Sequence, residues 1–128
     1  MSAVEAKTKH ILIIEDNKDM QEIYKIFFSG QKEKYMIEII GDSKAALKRI
    51  KEEGFDLVIL DIIMQPISGD SIYVYLRENL KNKSVPVIVV SVLAPEVLKN
   101  LKKMNNVMLL QKPIAKEQLL KEIEEVLT

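Results

Sequence analysis

Short aliphatic runs alternate along this chain with stretches whose apolar residues recur every three or four positions. The runs are His10–Ile14 (HILII), Tyr35–Ile40 (YMIEII), Asp56–Leu60 (DLVIL), Val85–Val90 (VPVIVV) and Val107–Leu110 (VMLL). They are continuously apolar, not alternating, which predicts strands buried on both faces. Pro86 suits the start of the fourth, and Glu38 predicts that the second lies near a sheet edge. Met20, Ile23, Tyr24, Phe27 and Phe28 follow the first run at helical spacing, with Gly30 marking the stop. Asp42 or Ser43 can cap a helix that carries Ala46, Leu47 and Ile50 and is closed by Gly54. Ser68 or Asp70 can cap the next, with Ile72, Tyr73, Leu76 and Leu80 inward. Pro95 fits the first turn of a short helix with Val97, Leu98 and Leu101 inward. Ala115, Leu119, Leu120, Ile123, Val126 and Leu127 form the stripe of a last helix.

Five strand–helix alternations predict an α/β fold: a parallel sheet between two helix layers, with right-handed crossovers. The common strand order for such a sheet is 2-1-3-4-5, with a crevice between the first and third strands beyond their carboxyl ends. The apolar runs end on residues that packing does not require. Glu15-Asp16 follow the first, Asp61 the third, Ser91 the fourth, and Lys112 comes just after the fifth. That order sets Glu15-Asp16 and Asp61 on opposite lips of one crevice.

Composition narrows the functions available. The 128 residues suit one domain, with Met1–Lys9 as a frayed lead-in and no apolar signal core. Nineteen basic and nineteen acidic residues leave no net charge, which argues against a nucleic-acid footprint. The absence of cysteine removes disulfides, thiol nucleophiles and cysteine metal sites, and fits a reducing cytoplasm. No apolar run approaches the roughly 18 residues of a membrane span. The chain ends with the last helix, so no output domain is expected in it.

Three converging carboxylates repel one another unless a cation compensates. Oxygen ligands without His or Cys suit Mg²⁺ or Mn²⁺. Any one Asp at a strand end is explained as a helix cap; three acids at two adjacent ends call for more. A carboxylate such as Asp61 can attack a phosphoryl group and hold it as an acyl phosphate. Lys112 supplies a point charge for one phosphoryl oxygen, and Ser91 a hydroxyl donor for another. The N–H groups of Ile62 and Ile63 are further candidate donors. Pro113 holds Lys112 in extended geometry.

Glu15-Asp16 in IIEDN, Asp61 in LDIIM, Ser91 in VIVVS and Lys112-Pro113, in this order and spacing, resemble the receiver domains of two-component response regulators. The resemblance runs from about His10 to Leu127. It implies a flavodoxin-like (βα)5 three-layer sandwich over residues 10–128. It implies Mg²⁺-dependent transfer of a phosphoryl group to Asp61 from a histidine kinase or phosphotransfer protein. It implies metal ligation by Asp16, Asp61 and the Ile63 carbonyl, with Glu15 direct or through water. Phosphorylation would draw in Ser91 and the Ser91-Val92-Leu93 loop. The face of the Pro95 helix, fifth strand and last helix would then be remodelled for an output partner or a homodimer. The protein would be a switch, with slow loss of its own phosphoryl group as its only turnover.

The chain also departs from the family pattern. Gln65 stands where a proline is usual, and Pro66 comes one place later. Val92 replaces a residue that is often Ala. Leu109 stands where an aromatic switch residue is common, so switching would use aliphatic repacking, or Leu109 is an ordinary strand residue. Asn105-Asn106 replace a Gly-Ala turn, and Asn tolerates left-handed geometry. Ile63 and Leu93 flank the path of an attacking water and cannot orient it, which implies a long-lived acyl phosphate. Lys99, Lys102 and Lys103 read as a solvated basic cluster near a helix end, and the lone His10 as structural or exposed. A phosphatase of the haloacid dehalogenase type needs an acid two places after its nucleophile, where Ile63 stands. A flavin or nucleotide domain needs a phosphate loop where Glu15-Asp16-Asn17 would repel phosphate. An interaction module that is never phosphorylated stays open on Val92 and Leu109.

Overall fold

A computed structural model describes residues 8–79, 82, 84–92 and 106–128. In chain order the described elements are β1 (Lys9–Ile14), α1 (Lys18–Phe28), β2 (Tyr35–Ile40), α2 (Ser43–Arg49), β3 (Leu57–Leu60), α3 (Gly69–Glu78), β4 (Val87–Ser91), β5 (Val107–Gln111) and α4 (Lys116–Leu127). The strands form one parallel sheet in the order β2-β1-β3-β4-β5, the flavodoxin-like arrangement expected. The helix expected from Pro95 lies outside the described residues, together with Leu80, Leu93, Lys99, Lys102, Lys103 and Asn105.

The continuously apolar strands fold this way because each face of the sheet buries every second residue. Leu12, Ile14, Val58, Leu60, Val87 and Val89 pack on one face against Ala46 of α2, its C-cap Ile50, and Ile72, Tyr73 and Leu76 of α3. Ile11, Ile13, Leu57, Ile59, Ile88 and Val90 pack on the other against α1 and α4. Burying one such side chain is worth about 1.5–3 kcal/mol, so a one-residue slip of a central strand, which swaps its faces, is strongly opposed.

Helix ends settle the open choices. Asp42, not Ser43, caps α2, accepting the Ala45 N–H at 3.0 Å. Asn17, which the apolar pattern passes over, caps α1 through the Met20 N–H at 2.8 Å. Ser68 takes the cap position of α3, but its hydroxyl meets that of Ser71 instead of the backbone. Ile23 departs from the expected inner face and is 38% exposed. The α1 stripe narrows to Met20, Tyr24 and Phe28, four residues apart. Gly30 is not left-handed: α1 closes at Ser29, whose hydroxyl donates to the Ile26 carbonyl. Among the described residues only Gly54 (φ 102°) and Asn106 (φ 59°) have positive φ. Asp56 falls outside β3, and its carboxylate accepts the His10 backbone N–H at 2.8 Å.

β2 is an edge strand, and Glu38 is anchored there by charge. Arg49 Nε reaches its two oxygens at 3.2 and 3.0 Å, and His10 Nε2 lies 3.1 Å from Oε1. Partial burial alone would raise the Glu38 carboxyl, but Arg49 and His10 outweigh it and hold it below its ordinary value. A carboxylate held low stabilises the fold above its unfolded pKa and loses that contribution as pH falls through the lowered one. Glu38→Gln is therefore expected to cost about 0.5 kcal/mol near neutrality, the scale of a surface ion pair. That difference should vanish in acid, as measured by urea unfolding across pH.

Candidate functional site

The register brings the acids together. Ile14 lies beside Leu60, so the next residues, Glu15 and Asp61, leave adjacent strands side by side. The Asp61 N–H donates to the Ile14 carbonyl at 3.1 Å and extends the ladder by one bond. Glu15 is 1% exposed and Asp61 6%, while Asp16 is open to solvent. One oxygen from each of the three lies within 4.8 Å of the others.

Lys112 reaches this cluster from beyond β5. Its N–H donates to the Ser91 carbonyl at 2.8 Å, which carries the β4–β5 ladder one residue further, and the Lys112–Pro113 peptide is cis. Its Nζ lies 2.8 Å from Glu15 Oε1 and 3.4 Å from Asp61 Oδ2. Glu15 Oε2 accepts the Asn17 N–H at 3.1 Å, and Asp61 Oδ1 accepts the Ile63 N–H at 3.3 Å.

Burial pushes the Glu15 carboxyl up, and the Asp61 charge adds to this; Lys112 and the Asn17 N–H only partly offset them. Burial would lower the Lys112 ammonium, but Glu15 and Asp61 together outweigh it and keep the lysine charged. Tyr24 lies beneath the acids, and its phenol is pushed up first by burial and then by the charges of Glu15 and Asp61. When ionised, three carboxylates against one ammonium leave two uncompensated negative charges. An all-oxygen set with one member in solvent suits a hydrated divalent cation.

Of the residues expected at the site, Glu15, Asp16, Asp61 and Lys112 come together. Ser91 is fully buried at the end of β4, next but one to the strand of Glu15. Of the two expected backbone donors, the Ile63 N–H is at Asp61. Ile62 instead offers its carbonyl, which accepts the N–H groups of Met64 and Gly69. Ile63 (49%) and Val92 (60%) are exposed, and Leu109 is half-buried against the α2–α3 face of the sheet.

Sequence reasoning missed several supporting groups. Gln21 Nε2 donates to the Glu15 carbonyl at 2.7 Å, and Ser43 Oγ accepts the Ile67 N–H at 3.1 Å. Gly69 begins α3 directly against Asp61. A methyl group there would overlap the Asp61 carbonyl oxygen and lie 2.7 Å from Ile62 Cα. A glycine eight residues after Asp61 was the available signal for that contact. A groove of about 550 Å³ lined by Phe28, Lys32, Tyr35 and Met36 lies at the opposite end of the sheet, and none of the three acids lines it.

A family model, the response regulator receiver domain, matches residues 11–124. The sensory transduction protein RegX3 of Mycolicibacterium smegmatis is 31% identical over 87 residues, which are 68% of this chain and 36% of that protein. The chain spans about a third of the length of the curated relatives it matches. Two solved structures share the fold. Chemotaxis response regulator CheY4 of Vibrio cholerae has a TM-score of 0.84 at 24% identity, covering 94% of this chain and 100% of that one. The receiver domain of sensor histidine kinase PA1611 from Pseudomonas aeruginosa PAO1 has a magnesium ion coordinated in its active site cleft. It has a TM-score of 0.83 at 20% identity, covering 94% of this chain and 98% of that one. No helix among the described residues is long and apolar enough to cross a membrane. With the family model running from β1 into the last helix, and the sheet order and acidic cleft in place, this chain belongs to the response regulator receiver domains of two-component signalling, signalling domains rather than classical enzymes.

Proposed function

We propose that Asp61 accepts a phosphoryl group from a histidine kinase or phosphotransfer protein, with Mg²⁺ or Mn²⁺ held by Glu15, Asp16, Asp61 and the Ile63 carbonyl. The observation that carries this is the meeting of three carboxylates within 4.8 Å, two of them touched by Lys112. The magnesium in the PA1611 receiver cleft supports the same choice of ion here. On this reading the receiver unit begins at Lys9, one residue before the expected boundary, because Lys9 opens β1 and pairs with Tyr35, and the compartment is cytoplasmic.

When bound, the cation neutralises charge on one equatorial phosphoryl oxygen. An Asp61 oxygen attacks phosphorus in line. The oxygen–phosphorus bond forms as the donor's phosphorus–nitrogen bond breaks, and the ring nitrogen keeps the electron pair. Lys112, already 3.4 Å from Asp61, moves its ammonium onto a second phosphoryl oxygen. Ser91 donates its hydroxyl to a third, and the Ile63 N–H remains a donor at the acceptor carboxylate. The new anion then biases the segment after Ser91 and, through it, the surface formed with β5 and α4. An output partner or a second copy would read that face, with Leu109 repacking in place of an aromatic swing.

Incubation with acetyl phosphate and Mg²⁺ should add one phosphoryl mass to the intact protein. Asp61→Asn and chelation of the metal should each abolish the gain. No gain from any donor or kinase would favour a never-phosphorylated interaction module.

Lys112→Met leaves two buried acids without their cation. It should cost about 2 kcal/mol in metal-free buffer, below the full cost of breaking a buried pair because Asp16 and the rim are wet. Millimolar Mg²⁺ should restore part of that stability in thermal unfolding. A melting temperature indifferent to Mg²⁺ would count against a metal site.

The acyl phosphate should persist for minutes or longer, because exposed Ile63 cannot orient water. Ile63→Asn supplies one hydrogen bond, worth about 1 kcal/mol, and should shorten the half-life about fivefold. A wild-type half-life of seconds would refute the apolar-rim explanation.

A further inference from the structure

The two loops that carry the acids are fastened to one piece of backbone outside the cleft, the β2–α2 turn at residues 40–43. On one side the Ile40 carbonyl accepts the Glu15 N–H at 3.1 Å. Next to it, Gly41 leaves room for the Gln21 amide, which donates to the Glu15 carbonyl at 2.7 Å; a methyl at Gly41 would come 2.5 Å from that nitrogen. On the other side, Ser43 Oγ accepts the Ile67 N–H at 3.1 Å. Ser43 is fully buried, and the helix cap is Asp42, so the Ser43 hydroxyl is not spent on the start of its own helix.

The Ser43 bond is a side-chain hydrogen bond from α2 to the β3–α3 loop. The same loop aims Asp61: the Ile63 N–H donates to Oδ1, and the Ile62 carbonyl accepts from Met64 and Gly69. A buried hydroxyl on α2 thus holds the loop that orients one acid, while the Ile40 carbonyl holds the backbone that carries the other two. The distance between the two groups of carboxylates is what a small cation senses, since Mg²⁺ demands near-ideal octahedral geometry.

We infer that Ser43 is a positioning residue for divalent-cation binding, holding the Asp61 loop at the spacing from Glu15 and Asp16 that the ion requires. This rests on the metal reading given above. Partners outside the ligand shell that orient the ligands typically cost 10–100-fold in metal affinity when removed.

The test uses the full chain and Mg²⁺ alone, with affinity read by calorimetric or NMR titration well below the melting temperature of each variant. Ser43→Ala should weaken Mg²⁺ binding about tenfold, and Ser43→Thr, which keeps the hydroxyl, should restore it. A Ser43→Ala protein that melts earlier but binds Mg²⁺ like wild type has lost only stability, and the inference fails. Hydrogen exchange in the wild-type protein gives a second readout that does not depend on the variant folding. The Ile67 amide should be protected, and more so with Mg²⁺, whereas exchange at the free rate in both states overturns the tie. Wild-type protein that binds no Mg²⁺ overturns the metal site and the Ser43 role with it. Binding that is intact in both wild type and Ser43→Ala overturns the Ser43 role alone.

Discussion

Like charge held out of water is the constraint on which this structure turns. Glu15 and Asp61 leave neighbouring strands of a parallel sheet and are almost fully covered, and no rearrangement of those strands can separate them without breaking the ladder. Among the described residues the compensation is one ammonium, Lys112, drawn in from beyond β5 and shared unequally between the two. The shorter contact goes to Glu15, the more deeply buried acid, where a lone charge would be most costly. Two negative charges remain when all three acids are ionised. The centre is thus strained toward cations by the same register that makes the hydrophobic core regular.

Around this centre the backbone is tied down by side chains that are not themselves hydrogen-bonded to the ammonium or to the three carboxylates. Asn17, Gln21 and Ser43 each direct a side-chain oxygen or amide at the backbone of a site loop or of the helix that follows it. Their hydrogen bonds are individually modest, about 1 kcal/mol each. Their effect is geometric: they convert floppy connections into a frame on which carboxylates keep their spacing.

Much of this was legible in the amino-acid sequence, and the reasons for the rest are specific. The strands could be read because continuous Ile, Leu and Val runs have few other uses in a chain this short. The acids, Ser91 and Lys112 could be read because each ends such a run, where packing does not need it. Ile23 misled because five apolar positions at helical spacing span more of a helix surface than one sheet face can cover. Asp42 and Ser43 are equally competent caps one residue apart; the freed hydroxyl then found a partner twenty-four residues away, a pairing that no local pattern encodes. Gly30 looked like a left-handed stop, yet Ser29 closed the turn with its own hydroxyl. The preference of Lys112 for Glu15 follows from relative burial, which exists only once the sheet has formed.

The contact of Gly69 with Asp61 pins the backbone of that acid while leaving its carboxylate to the cleft. On the β3 side, the start of α3 is pressed so closely on the Asp61 carbonyl that not even a methyl group fits, and β1 holds the same residue by its N–H. Asp61 is therefore an anvil. On the β4–β5 side, the Lys112 N–H extends the ladder to the Ser91 carbonyl, and the lysine ammonium sits within reach of one oxygen of each buried acid. A change of charge at Asp61 therefore meets a backbone held by both β1 and α3, and the nearby group with a second oxygen already within reach is the Lys112 ammonium.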